Sequence, residues 1–353
     1  EQGQRGKGQR GKEQRGRGQQ EQVLDLAQCT AKYGTRGFMP SPPLSRTPPL
    51  LYTYPGGGNT WSRLLLDYAT GVYSGSVYGD VSLEAALPGE TSCNRSVSVV
   101  KSHPVFKTDH HSMLFLGEPP MPPRHPCTKG GVQKFDRALF LVRNPFDAIW
   151  SYYNIMSSGS HVGGILRSNF NWTHWQLQSV RYAEQYVDMV EVQYAGIKRI
   201  LPSESLLLLR YENLVRNRTR FHALKNMATF ADLGAVATRE RVKCAFLLGD
   251  HPSIHRPSAG AIARVSQDPK KWEMRFALKS ELVSKAEAFL PTIVCAIWDI
   301  IGPSSARMGY KKIYGGHKCD TLKSGEPKAV GSPPKTWEFE RGIGDNLGIE
   351  GGI

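Results

Sequence analysis

Three consecutive glycines stand where an apolar run gives way to an amphipathic segment, an arrangement typical of a loop that holds an anion. The run 50–54 precedes Gly56, Gly57 and Gly58, and a helical pattern follows over 62–70. Glycine backbones can adopt positive φ and bring their N–H groups close to a phosphate, and the following helix presents its positive end at the same place. The loop therefore predicts a nucleotide-type ligand, although the lysine of the common pattern G-x-x-x-x-G-K-[ST] is absent.

A second group of polar residues begins where another apolar run, 138–143, ends in Arg143. Asn144 and Pro145 have the residue types of a helix N-cap and of a first helical position. Ser151 follows Arg143 by eight residues, two turns into the predicted helix. An arginine and a hydroxyl so placed can both reach one phosphate at the helix N-terminus, while a capped helix without a ligand stays open as the alternative.

A lysine and a histidine close a third apolar run, 97–101. Histidine has an unperturbed pKa of about 6.5, so His103 could accept a proton at physiological pH, and Lys101 offers a point positive charge to a leaving group. The pair predicts a general base with a counter-charge. A surface loop that carries both residues without a catalytic role is the alternative.

The elements that must position these residues alternate between strand-like and helix-like patterns. The predicted strands are 50–54, 97–101, 138–143 and 206–211, and the predicted helices are 62–70, 145–157, 175–200, 212–231, 239–248 and 279–301. This alternation predicts a single α/β domain with a central, mainly parallel sheet flanked by helices. Ligands of such sheets bind beyond the carboxyl ends of the strands, where the glycines and Arg143 fall.

Charge and composition limit the ligand class and the extent of the domain. The 353 residues carry a formal net charge of +14, which favours a nucleotide, an acidic polysaccharide, nucleic acid or an anionic membrane. A Gln/Gly/Arg/Lys tract at 1–22 and a proline-rich stretch predict a disordered tail and linker over 1–48, with order from about Leu50. The tract is interpreted as a solvated linker or an RNA-binding tail. The predicted domain covers 49–314, and 315–353 reads as a second tail.

Cysteines, sequons and hydropathy bear on the compartment. The six cysteines contain no C-x-x-C pair, so no zinc or thioredoxin motif is predicted and one to three disulfides are possible. Sequons at Asn94, Asn171 and Asn217 favour a secretory compartment. No apolar run reaches the roughly 18 residues of a membrane span. Because the chain begins with Glu1 rather than Met, we expect it to be incomplete, and an upstream signal or membrane anchor stays open.

Taken together and in order, these segments resemble the sulfotransferases that use 3′-phosphoadenosine 5′-phosphosulfate (PAPS). The run 55–61 resembles the family's 5′-phosphosulfate loop, 143–151 its 3′-phosphate motif, 101–103 its Lys-Thr-His, and 209–214 its tyrosine-bearing strand end. The resemblance covers about 51–285. It is closest to the WSC-domain-containing sulfotransferases, over 54–61 and 67–80, although the cysteine-rich WSC module is not present in this chain.

The resemblance implies the P-loop-containing nucleotide-binding fold and a reaction that moves a sulfuryl group from PAPS to a hydroxyl without a metal. His103 would be the general base and Lys101 would stabilise charge. The implied PAPS-binding residues are Pro55, Gly56, Gly57, Gly58, Asn59, Thr60, Trp61, Arg143, Ser151 and Tyr211, with either Arg256 or Arg264 from a basic C-terminal loop.

At one position the sequence differs from the family pattern, and the difference leaves two expectations about catalysis open. Cytosolic sulfotransferases carry a lysine directly after the loop proline, where this chain has Gly56. Either Lys101 and the loop N–H groups replace that lysine, or catalysis is impaired and the chain only binds a glycan or nucleotide. A P-loop kinase or NTPase is disfavoured because no Walker lysine follows the glycines, and nucleic-acid binding through the tail is a further alternative.

The expected acceptor is a carbohydrate or glycoprotein glycan, in the Golgi lumen or at its membrane, with no specific nucleic-acid partner. The aromatic residues in 171–175 either stack on sugar rings or pack into the core.

Overall fold

A five-stranded parallel sheet forms the centre of the protein. The structure is a computed structural model, and it describes residues 24–39, 46–80, 83–103, 135–158, 165–249, 283–310 and 319. Within these ranges every strand pairing is parallel and the spatial order is β2-β3-β1-β4-β5. The strands are β1 (Leu50–Thr53), β2 (Gly75–Ser76), β3 (Val100–Ser102), β4 (Ala138–Val142) and β5 (Leu206–Arg210).

Helices connect the strands and cover the sheet. They are α1 (Leu26–Tyr33), α2 (Asn59–Thr70), α3 (Pro145–Ser158), α4 (Trp172–Val187), α5 (Tyr194–Ile200), α6 (Tyr211–Val215), α7 (Arg220–Phe230), α8 (Arg239–Gly249), α9 (Lys285–Ala288) and α10 (Pro291–Arg307). A π-helical turn, Asp188–Gln193, joins α4 to α5. None of the helices in the described ranges is long and apolar enough to span a bilayer.

The central strands are buried on both faces, which explains their unbroken apolar sequences. Leu51 and Leu139 pack with α2, α7 and α8 on one face. Tyr52 and Phe140 point to the other face and pack with α4, the π-helical turn and α5. The predicted α/β class and the parallel sheet flanked by helices are therefore confirmed.

Two disulfides are fully placed within the described residues. Cys29 in α1 is bonded to Cys244 in α8, and Cys295 in α10 is bonded to Cys319. Cys93 is also disulfide-bonded. The expectation of one to three disulfides is thus met, and cross-links of this kind are characteristic of oxidising compartments.

The N-terminal boundary differs from the prediction. Order was expected from about Leu50, but α1 precedes that point and begins at a capping box in which Asp25 and Gln28 exchange side-chain and backbone hydrogen bonds. Tyr33 and Lys32 in its last turn both contact Glu240 of α8. The prediction was wrong for this segment because Cys29 anchors a mostly polar helix to the domain. The predicted tails lie outside the described residues over 1–22, 315–318 and 320–353.

Other boundaries moved by a few residues. The predicted strand 97–101 is observed as Val100–Ser102, and the predicted helix 175–200 begins at Trp172 and contains the π-helical turn. The predicted helix 212–231 is two helices, because the chain leaves α6 at Arg216 in an extended conformation before α7 begins. The predicted helix 279–301 is observed as α9 and α10, and its first residues, 279–282, lie outside the described ranges.

Candidate active site

The carboxyl ends of the strands bring most of the predicted site residues to one edge of the sheet. Following the strand order, β3 ends beside His103, β1 runs into the glycine loop, β4 ends at Arg143, and β5 ends at Tyr211. Neighbouring parallel strands place these residues side by side. Segments that are far apart in the sequence, such as the glycine loop and Tyr211, therefore form one continuous edge.

The glycine loop is a tight turn into α2. The N–H of Gly57 donates to the carbonyl of Tyr54 at 2.8 Å, and Gly58 has a φ of +90° immediately before Asn59 starts the helix. A Cβ on Gly58 would lie 2.3 Å from the ring of Tyr211. Only glycine fits where the loop passes under this ring, so the predicted need for glycine is explained by both φ and packing.

Asn59 leaves its carboxamide unpaired at the start of α2. The side chain is only 5% exposed, and among the described residues neither Oδ1 nor Nδ2 has a hydrogen-bond partner. A buried amide without partners costs free energy unless a ligand or water satisfies it. Its position at a helix N-terminus, beside backbone N–H groups, suits the phosphate end of a nucleotide.

Gly56 shows why the loop has no lysine at this position. Its φ is +81°, and a Cβ would lie 2.6 Å from the carbonyl oxygen of Ala148, 2.8 Å from the backbone nitrogen of Tyr152 and 3.0 Å from Cβ of Ser151. The loop thus abuts the backbone of α3. Any side chain at residue 56, lysine included, would have to displace either the loop or α3.

Replacing Gly56 with alanine is expected to destabilise the protein by about 2–4 kcal/mol and to weaken nucleotide binding, because positive φ and the contact with α3 both oppose a Cβ. Denaturant unfolding and a nucleotide titration measure the two effects. Gly196→Ala is the matched control, since a Cβ there meets no atom of the described chain within 4 Å and α5 favours alanine. Equal stability of the two variants would contradict this packing.

Arg143 links the glycine loop to the end of β4. Its Nη1 donates to the carbonyl of Gly56 at 2.9 Å, and its guanidinium lies 4.6 Å from the ring centre of Tyr211. Its Nε is buried and has no partner among the described residues. The backbone carbonyl of Arg143 accepts from the hydroxyl of Tyr186 at 2.8 Å. The arginine is therefore held in place with donor capacity left over for an anion.

The turn that carries Arg143 is fixed by its neighbours. Asn144 caps α3 as predicted, its Oδ1 accepting from the N–H of Phe146 at 3.0 Å. The N–H of Asn144 donates to Glu212 at 2.7 Å, and the other oxygen of Glu212 accepts from the hydroxyl of Tyr310 at 2.7 Å. Glu212 thus ties the start of α6 to the start of α3, a role that the sequence analysis did not assign.

A second cation lies near Arg143. Lys285 at the start of α9 forms an ion pair with Asp147 in the first turn of α3. Burial lowers the pKa of the Lys285 ammonium, and the positive charge of Arg143 acts in the same direction. The start of α3 therefore holds two cations, Arg143 and Lys285, together with the carboxylates of Asp147 and Glu212.

His103 is oriented by two hydrogen bonds at the end of β3. Its ring Nδ1 lies 2.8 Å from the carbonyl oxygen of Thr53, the last residue of β1, and its backbone N–H donates to the hydroxyl of Tyr78 at 2.8 Å. A carbonyl only accepts, so Nδ1 carries the proton in the neutral ring and Nε2 carries the lone pair. Nε2 is therefore the nitrogen suited to act as a base.

Lys101 belongs to a buried ion-pair cluster. Its Nζ lies 3.6 Å from Glu90, and the second oxygen of Glu90 is 2.5 Å from Nη1 of Arg63 in α2. All three side chains are buried. Desolvation lowers the pKa of Lys101, while Glu90 opposes this effect. Arg63 and Lys101 share the carboxylate of Glu90, and the negative charge of Asp80 also acts on Lys101. Sequence spacing did not reveal this cluster.

Two aromatic residues of the implied PAPS-binding set lie together. The rings of Trp61 and Tyr211 are 5.4 Å apart in an edge-on arrangement above the glycine loop. Pro55 is in the turn before the glycines, and Thr60 is the second residue of α2. Arg256 and Arg264 lie outside the described residues.

The aromatic residues of 171–175 have separate roles. Trp175 is fully buried and its Nε1 donates to the carbonyl of Ala288 at 2.7 Å. Trp172, in contrast, is 46% exposed. The core interpretation is thus confirmed for Trp175, while Trp172 keeps an open surface.

These features define an α/β protein whose parallel sheet carries a glycine loop, a histidine and an arginine at one edge. Over part of its length the chain is similar to curated proteins called WSCD family members. It is 29% identical over 159 residues to one from Drosophila melanogaster and 30% identical over 159 residues to one from Drosophila pseudoobscura pseudoobscura, each match covering 41% of this chain and 43% of the relative. It is 29% identical over 203 residues to one from Aedes aegypti, covering 48% of this chain and 57% of the relative. The chain spans about half the length of the curated relatives it matches, and no protein-family model matches it.

Proposed function

We propose that this chain is a PAPS-dependent sulfotransferase that acts on a hydroxyl of a carbohydrate or glycoprotein glycan. The observation that carries the proposal is the hydrogen bond from His103 Nδ1 to the carbonyl of Thr53, because it joins a base to the strand that enters the glycine loop. The relatives' name, WSCD family, supports the same class, since the motifs resemble the WSC-domain-containing sulfotransferases.

The donor site follows from the residues at the sheet edge. The loop N–H groups and the unpaired amide of Asn59 fit the 5′-phosphosulfate end, and Arg143 with Ser151 fits the 3′-phosphate. The ring pair of Trp61 and Tyr211 offers an apolar contact to adenine. PAPS supplies an activated sulfuryl group when bound. In the C-terminal loop, Arg256 or Arg264 would complete the 3′-phosphate contacts.

The chemistry requires in-line geometry, a base and stabilisation of negative charge. The acceptor oxygen forms a bond to sulfur, the bond from sulfur to the bridging phosphate oxygen breaks with its electron pair, and Nε2 of His103 takes the hydroxyl proton. The loop N–H groups stabilise the departing phosphate. Lys101 adds positive charge from the cluster with Arg63 and Glu90, in place of the lysine that Gly56 excludes.

The compartment is part of the proposal. Disulfides at Cys29, Cys93 and Cys295 favour an oxidising lumen. The sequon residues Asn94 and Asn217 are exposed, as glycosylation would require. We therefore propose that the protein resides in the Golgi lumen or at its membrane.

The test is transfer of radiolabelled sulfate from PAPS to a panel of glycoproteins, with and without EDTA. The expected result is label on glycan that survives EDTA, because positive side chains and N–H groups carry the charge. Nucleotide binding without a labelled product would instead favour a catalytically impaired binding protein. Metal-dependent ATP turnover would favour the kinase or NTPase alternative.

A further inference from the structure

One part of the sheet edge is not used by the proposed donor site: the end of β2. Tyr78 lies two residues beyond Ser76, which pairs with Lys101, so Tyr78 stands beside His103 at the next position along β3. The rings of Tyr78 and His103 are stacked, with centroids 5.4 Å apart and planes at 28°. An aromatic residue thus flanks the proposed base on the side away from the glycine loop.

Tyr78 is anchored at its hydroxyl and open at its ring. The hydroxyl accepts the backbone N–H of His103 at 2.8 Å, and Lys101 Nζ lies 5.5 Å from the ring centre. Desolvation of the hydroxyl raises the pKa of Tyr78, so this group stays neutral. The residue is nevertheless 45% exposed. An aromatic ring that is fixed at one end and exposed at the other is a preformed apolar surface.

The strand order defines where an acceptor must lie. The proposed nucleotide contacts come from β1, β4 and β5, through the glycine loop, Arg143 and Tyr211. His103 on β3 separates them from Tyr78 on β2. In-line displacement brings the acceptor oxygen to the side of sulfur opposite the departing phosphate. The acceptor therefore enters from the β2 side, over Tyr78.

We propose that Tyr78 is the platform on which a sugar ring of the acceptor packs, with its hydroxyl directed at Nε2 of His103. This inference rests on the proposed function and assigns its substrate class to a residue. The C–H face of a pyranose is apolar and suits an exposed aromatic ring such as that of Tyr78.

The experiment compares binding to an array of immobilised mammalian glycans in the presence of saturating 3′-phosphoadenosine 5′-phosphate (PAP), the product nucleotide. The full chain is tested as wild type, Tyr78→Ala, Tyr78→Phe, Trp172→Ala and Phe38→Ala. Phe38, 47% exposed and placed before β1, controls for loss of an exposed ring, and Trp172 is the rival sugar platform. PAP affinity and thermal unfolding of each variant establish that it is folded.

The expected result is that Tyr78→Ala loses about tenfold or more in apparent glycan affinity at unchanged PAP affinity. Tyr78→Phe keeps the ring and should stay within about threefold of wild type, as should both other variants. Wild-type glycan affinity in Tyr78→Ala, or a loss in Trp172→Ala alone, overturns the inference. Wild-type protein that binds PAP but no glycan would also overturn the inference. Equal affinity of the wild-type protein for PAP and for the nucleotide without the 3′-phosphate would instead contradict the proposed function.

Discussion

Replacing His103 with alanine is expected to lower sulfuryl transfer by a factor on the order of 10³ while leaving the affinity for PAP unchanged. The imidazole is the group that would take the acceptor proton, and its Nδ1 lies 2.8 Å from the backbone carbonyl oxygen of Thr53 in β1. Loss of the ring therefore removes the base without removing a ligand of the nucleotide. Initial rates of label transfer and a calorimetric PAP titration measure the two quantities.

His222→Ala is the matched control for this substitution, because His222 is an exposed histidine on α7. It should keep wild-type transfer and wild-type PAP affinity. Substantial turnover by His103→Ala would remove His103 from the chemistry. Loss of PAP binding in the same variant would mean that the histidine supports the loop rather than the reaction.

Replacing Arg143 with alanine is expected to abolish the preference for a 3′-phosphate. A charge-assisted hydrogen bond to phosphate contributes about 1.5–3 kcal/mol, so PAP affinity should fall by roughly 10–100-fold. Affinity for the nucleotide without the 3′-phosphate should fall much less. Arg143→Lys should recover only part of the loss, because lysine lacks the planar fork of donors.

Arg199→Ala serves as the control for lost charge, since Arg199 is exposed on α5. It is expected to change neither affinity. An equal loss for both nucleotides in Arg143→Ala would contradict the assignment. The arginine would then act only through its hydrogen bond to the carbonyl of Gly56.

The sequence predicted the sheet edge well because strand ends and helix starts carry local signals. The apolar runs before Gly56 and before Arg143 end within a residue or two of the observed strands. Asn144 caps α3 as its residue type and the following proline indicated. These signals depend only on neighbouring residues, so they can be recognised without knowing the tertiary structure.

Long-range contacts were not predictable in this way. Glu90 joins Arg63 and Lys101 although the three residues come from different elements, and nothing in their spacing marks them as partners. Strand β2 has only two residues, which is too short for a recognisable strand pattern. The sequence therefore could not predict that Tyr78 lies beside His103. The sequence analysis therefore missed the part of the candidate site where we propose that the acceptor binds.

The α1 segment carried a signal that was outweighed by its composition. Asp25 and Gln28 have the spacing of a capping box, but the surrounding residues are polar and proline-rich. The disulfide between Cys29 and Cys244 supplies the tertiary restraint that local composition cannot express. At Gly56 the sequence left open that the missing lysine impairs catalysis. The structure shows that glycine is required there, because the loop packs directly on the backbone of α3.

The most direct test of the central claim is a calorimetric titration of the wild-type chain with PAP and with the same nucleotide lacking its 3′-phosphate. We expect PAP to bind at least about tenfold more tightly, since Arg143 and Ser151 lie beside the glycine loop and can bind the additional phosphate. Equal affinity for the two nucleotides, or no binding of either, would contradict the assignment of this site to PAPS.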